Sequence, residues 1–215
     1  MNKYIVELIG TFFLVLTIGC NVLGGNAALA PIAIGTVLAV MIFAGGHISG
    51  GHFNPAVTLA VTVRGKCTVQ DAIPYVIAQV AGAAIAAFAA KILYAAAAAK
   101  AVTAAATAAP IATGPAFLAE LLFTFALAWT VLNVATSKDT ANNSFYGWAI
   151  GSVVVVGAFS VGSISGGAFN PAVAVGAALM SLISWGNIWI HLSADLLGGL
   201  LAAIAFKSLS TADRE

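Results

Sequence analysis

Long apolar stretches broken at short polar or glycine-rich joints are the dominant pattern of this chain, at residues 4–24, 31–46, 72–94, 114–136, 145–162 and 187–208. Each stretch comes near the roughly 20 residues that an α-helix needs to cross about 30 Å of hydrocarbon. The pattern predicts six membrane spans, three on either side of an Ala/Thr-rich joint at 95–113. That joint reads as a surface connector without side-chain chemistry.

Composition agrees with the pattern. A hydrophobic fraction of 61% with 7% charged residues, and a mean hydropathy of +1.05, exclude a water-soluble domain with a charged surface. With both termini cytoplasmic, Lys3, Arg64, Lys66, Lys138, Lys207 and Arg214 fall inside, while Lys91 and Lys100 fall outside. That bias follows the positive-inside rule. Lys3 is followed by an apolar stretch of full span length, so the first helix is expected to stay in the mature protein. Cys20 and Cys67 are too few and too far apart for a disulfide scaffold or a metal knuckle.

The phrase Ile48-Ser49-Gly50-Gly51-His52-Phe53-Asn54-Pro55-Ala56-Val57 returns 116 residues later as Ile164-Ser165-Gly166-Gly167-Ala168-Phe169-Asn170-Pro171-Ala172-Val173. Only His52 and Ala168 differ. The chain is therefore an internal duplication, and three spans per half force the second copy to insert upside down. Asn is a favoured N-cap and Pro a favoured first helical residue. Asn54-Pro55-Ala56 and Asn170-Pro171-Ala172 thus predict half-helices that continue through the apolar runs to Val63 and Leu182. Each would begin inside the membrane, after a Gly-Gly segment whose irregular backbone must be buried or line a watery cavity.

With these motifs the chain resembles the aquaporin, or major intrinsic protein, family over essentially its whole length. The resemblance implies an all-α membrane protein: six transmembrane helices plus two re-entrant half-helices in an inverted repeat. It implies a single channel domain, 1–215, with halves at about 1–94 and 114–210. It also implies that Glu7 and Glu120, carboxylates inside apolar spans, accept hydrogen bonds from the re-entrant segments instead of relaying protons; burial requires internal partners in any case. The positive ends of the half-helix dipoles and the amides of Asn54 and Asn170 would disfavour cations and turn a passing water so that protons cannot hop.

The family's filter positions fall on Ile34, Ala158, Gly167 and Val173. Water-selective relatives place Phe, His, a small residue and Arg there. Val in place of Arg resembles the plant tonoplast intrinsic proteins, although His is usual there at the position of Ile34. A wider, apolar constriction is expected, passing water and small neutral solutes such as ammonia, urea, glycerol or hydrogen peroxide. The expected protein is no enzyme, needs no cofactor and binds no nucleic acid. It is a homotetramer in lipid, in a bacterial-type inner membrane. An inverted-repeat secondary transporter and a weakly selective cation pore are the rival readings.

Other polar residues have plainer readings. His47 and His52 lack a carboxylate or Cys to complete a metal site. His191 and Asp195 stand at i and i+4 in the sixth span. They are expected to pair on one face, at a helix or subunit contact, with gating or a second pathway as the other possibilities. Trp148, Trp185 and Trp189 fall near span ends, as interfacial anchors do. Gly82-Ala83-Ala84 and Gly198-Gly199 allow close helix contact.

Overall fold

The computed structural model describes residues 1–107, 111–210 and 213. The helices are α1 (Asn2–Leu23), α2 (Ala30–Ser49), α3 (Pro55–Val63), α4 (Val69–Leu93), α5 (Ala95–Thr107), α6 (Thr113–Val131), α7 (Tyr146–Ser165), α8 (Pro171–Leu179) and α9 (Ile188–Leu209). Six of these, α1, α2, α4, α6, α7 and α9, are long and apolar enough to span a membrane, α6 together with a π-helical turn at Leu132–Thr136. Among the described residues there is no strand.

Two expectations change. The second half-helix stops at Leu179 instead of Leu182, because Ser181 turns left-handed at φ 59°. The Ser181 and Leu182 N–H groups fold back on Ala178 and Ala177 carbonyls, satisfying helix-end acceptors. The connector carries a helix, α5, in keeping with alanine's high helix propensity. Ala98 of this helix is buried, so the connector is not purely a surface segment. Residues 108–110 of it lie outside the described residues.

The halves repeat one arrangement. α1 runs along α4 as α6 runs along α9, and α2 crosses α7. Small residues set these crossings: a Cβ on Gly82 would collide with the Leu8 carbonyl, and one on Gly198 would lie 2.6 Å from that of Leu121. In lipid, where apolar helices gain little from burial against each other, such close packing supplies the attraction. Each half-helix is held by the opposite half, α3 against α9 and α8 against α4.

Charged residues collect at one end of the bundle. Lys3 pairs with Asp71 at 2.8 Å and Arg64 with Asp213 at 2.7 Å, while Lys207 donates to the Val63 carbonyl. At the other end, Lys91 donates to the Leu179 carbonyl. Arg214 lies outside the described residues. Trp148, Trp185 and Trp189 are all more than half exposed near helix starts.

Candidate functional site

The repeated phrases fold alike because their backbones need the same unusual angles. Gly50 and Gly51 sit at φ 90° and 64°, and Gly166 and Gly167 at 97° and 65°, a region where a Cβ is penalised. Phe53 and Phe169 also take positive φ, 48° each. That conformation costs about 1–2 kcal/mol for an L-residue. Both rings are 1% exposed and gain close van der Waals packing, the attraction that operates between helices in lipid. The Phe53 ring occupies the space that a Cβ on Gly10 would need, and Phe169 packs on Phe123 with ring centres 5.5 Å apart. Close ring packing thus offsets the strain.

The strained turns deliver Asn54 and Asn170 as N-caps. Asn54 Oδ1 accepts from Ala56 N–H at 2.8 Å, and Asn170 Oδ1 from Ala172 N–H at 3.0 Å. Pro55 and Pro171 open the helices. The remaining amide functions cross between halves: Asn54 Nδ2 donates to the Phe169 carbonyl and Asn170 Nδ2 to that of Phe53, each at 2.9 Å. The half-helices therefore meet cap to cap, and each amide keeps a second hydrogen for another acceptor.

The buried carboxylates bind the turns from behind. Glu7 accepts from Ser49 Oγ at 2.7 Å, His52 N–H at 2.9 Å, Phe53 N–H at 2.6 Å and Gln79 Nε2 at 2.8 Å. Glu120 accepts from Ser165 Oγ, from Ala168 N–H at 3.1 Å and from Phe169 N–H at 2.7 Å. Both side chains are fully buried. Ser49 and Ser165 lie inside the repeated phrase; Gln79 carries no local signal beyond being a polar residue in a span.

His191 and Asp195 do sit at a helix contact, but each is partnered from α6 instead of by the other. Both are completely buried within the chain. His191 faces Glu120, with Nδ1 3.4 Å from Oε1, and Asp195 accepts from Thr124 Oγ1 at 2.9 Å. Residues brought from α6 win over the local i, i+4 partner. His47 is exposed, while His52 is buried with Nδ1 3.1 Å from Thr58 Oγ1. Among the described residues, no three His, Cys, Asp or Glu side chains gather as a metal site. Cys20 and Cys67 are free thiols.

A cavity of about 590 Å³ runs past the caps, lined by Asn54 and Asn170 together with Ile34, Ala158, Gly167 and Val173. Leu127, Val131, Ile150 and Val154 continue the apolar wall; in the sequence they are indistinguishable from lipid-facing residues. Paired re-entrant caps in a six-span inverted repeat, opening onto one lined cavity, define a membrane channel.

The family model for the major intrinsic proteins matches residues 1–206. The chain belongs to that family, whose members are channels and not enzymes. It is 36% identical to "Glycerol uptake facilitator protein-like 6" of Lactiplantibacillus plantarum over 99% of its own length and all of that protein. It is 34% identical to "Aquaporin NIP1-3" of rice, Oryza sativa subsp. japonica, over 99% of this chain and 75% of the plant protein. The solved aquaglyceroporin of Plasmodium falciparum shares the fold, with a TM-score of 0.79 at 21% identity, covering 97% of this chain and 96% of that one.

Proposed function

We propose that this channel passes water together with small neutral solutes of the size of ammonia, urea, hydrogen peroxide or glycerol, and excludes protons and ions. The observation that carries the reading is the makeup of the filter. Ile34, Ala158, Gly167 and Val173 all border the cavity, and none brings a charge or a bulky ring. A solute's carbon skeleton can then lie against apolar side chains while its polar atoms meet the amides of Asn54 and Asn170. The similarity to a protein named as a glycerol uptake facilitator supports it.

In this reading each half-helix presents about half a positive charge to the midpoint of the pore. Cations are repelled there without a filter arginine. The two asparagine amides donate to one water oxygen, so that its own hydrogens point away from both neighbours and the proton wire is broken. Glu7 and Glu120 hold the turns and do not act as a proton relay. The functional unit is one channel domain, its halves at about 1–94 and 114–210. It works as a homotetramer in a bacterial-type inner membrane, the cationic end of the bundle and both termini cytoplasmic.

Stopped-flow light scattering of proteoliposomes tests this. An impermeant osmolyte should cause fast shrinkage, and glycerol or urea should cause shrinkage followed by fast, protein-dependent reswelling. Fast shrinkage without reswelling would overturn the solute claim and leave a water channel.

A further inference from the structure

The duplication provides an internal control for every position. Residues 116 apart are equivalent around the caps, which places Tyr75 opposite His191, Gln79 opposite Asp195 and Thr58 opposite Ala174. In the first half these positions form a neutral network. Tyr75 donates to the Ser49 carbonyl at 2.7 Å, and Gln79 Nε2 donates to Glu7 and, at 2.9 Å, to Thr58 Oγ1. One buried charge, that of Glu7, is thus met by donors alone.

The second half is built differently. Two titratable groups replace the neutral pair, and the Thr hydroxyl is gone. Nδ1 and Nε2 of His191 and Oδ2 of Asp195 are buried without a hydrogen-bond partner, whereas the first-half network leaves only Gln79 Oε1 in that condition. Glu120, which faces His191, stands one helical turn from Thr124, which donates to Asp195, so the two carboxyl groups share this stretch of the α6–α9 contact. Among the described residues, α3, α8 and the 166–170 segment bring no titratable group to this face of α9, so the cluster consists of Glu120, His191 and Asp195.

We infer that His191 and Asp195 are positioning residues, that the buried cluster they form with Glu120 holds one exchangeable proton, and that losing this proton loosens the second re-entrant segment and lowers flux. With the proton present, Glu120 is the single net negative charge, matching Glu7, and the donors from Ser165, Ala168 and Phe169 together with the positive end of α8 compensate it. Without it, Asp195 adds a second unscreened negative charge in the dry interior, the costly state for a buried cluster. Glu120 and Asp195 then repel, and Glu120 is the group that holds Ala168 and Phe169. Flux should therefore fall toward alkaline pH, and only through the second half.

The inference rests on the reading of Glu120 as the anchor of that segment. Water flux into proteoliposomes is measured from about pH 5 to about pH 9 for wild type, Asp195→Asn and the symmetrising double variant His191→Tyr with Asp195→Gln. Wild-type flux is expected to fall roughly fivefold or more on the alkaline side, and the variants to keep their neutral-pH flux throughout. A flat wild-type profile, or an alkaline fall shared by Asp195→Asn, would overturn the proposal. The melting temperature in detergent over the same range carries the test independently of flux. A wild-type decline absent from Asp195→Asn supports the shared proton, and superimposable profiles refute it. Absence of wild-type flux at every pH would instead count against the channel reading.

Discussion

Gly35 and Gly151 face each other where α2 crosses α7. A Cβ on Gly35 would lie 2.5 Å from the Gly151 carbonyl oxygen, and one on Gly151 would lie closer still to that of Gly35. The two glycines are 116 residues apart and are equivalent in the repeat, so the contact marks its pseudo-twofold axis.

A side chain at this crossing must push two backbones apart, which rigid helices accommodate poorly. Gly151→Leu is expected to destabilise the folded protein by more than the about 1–3 kcal/mol of ordinary overpacking. A lowered melting temperature and loss of monodisperse protein in detergent would register it. Gly114, with open space around its Cβ position, is the matched site where Gly→Ala should leave melting unchanged.

Asn54 serves two roles through one amide, capping α3 and bonding to Phe169 across the halves. Asn54→Ala removes a cap worth about 1 kcal/mol and leaves the buried Phe169 carbonyl unpaired, a further penalty of about 1–3 kcal/mol. Thermal melting should fall accordingly, and water permeability should drop with it. Asn54→Asp retains the cap acceptor but loses the cross-half donor, and is expected to melt between the two.

Val173→Arg introduces a long cation at the proposed filter, where Val173 borders the cavity. Glycerol and urea flux should fall several-fold more than water flux, because the added side chain fills the space a carbon skeleton needs while a water can still pass. The reswelling-to-shrinkage ratio reads this directly; an unchanged ratio would remove Val173 from the filter.

Asp213 closes the cationic end of the bundle. Burial raises its carboxyl, but hydrogen bonds from Ser137, Ser210 and the Lys138 N–H, with the charge of Arg64, outweigh burial and hold it below the usual carboxylate value. A depressed native-state value stabilises the fold above the unfolded value, about pH 4, and that contribution disappears as pH falls through the native one. Acid melting profiles of wild type and Asp213→Asn should therefore converge at low pH and separate above about pH 4.

Much of the site is legible in the amino-acid sequence. The six spans, the caps at Asn54 and Asn170 and the inversion of the second half follow from properties that act locally or by counting. Span length reflects bilayer thickness, Asn-Pro reflects the needs of a helix start, and an odd number of spans per half sets orientation. The end of α8 is less legible, because Leu182 is as apolar as the helix before it and only the left-handed turn at Ser181 stops the chain.

What tertiary structure alone decided are the partnerships. The sequence presents Glu7 and Glu120 as buried carboxylates in need of donors, while packing selects Gln79, 72 residues from Glu7, as one of them. The spacing of His191 and Asp195 favours a local pair, and the close approach of α9 to α6 through Gly198 turns both toward α6 residues instead. Local pattern fixes which groups must be buried, since the bilayer imposes the same cost on each. Which groups then meet depends on how closely the helices approach, and that is set by the shapes of their faces together.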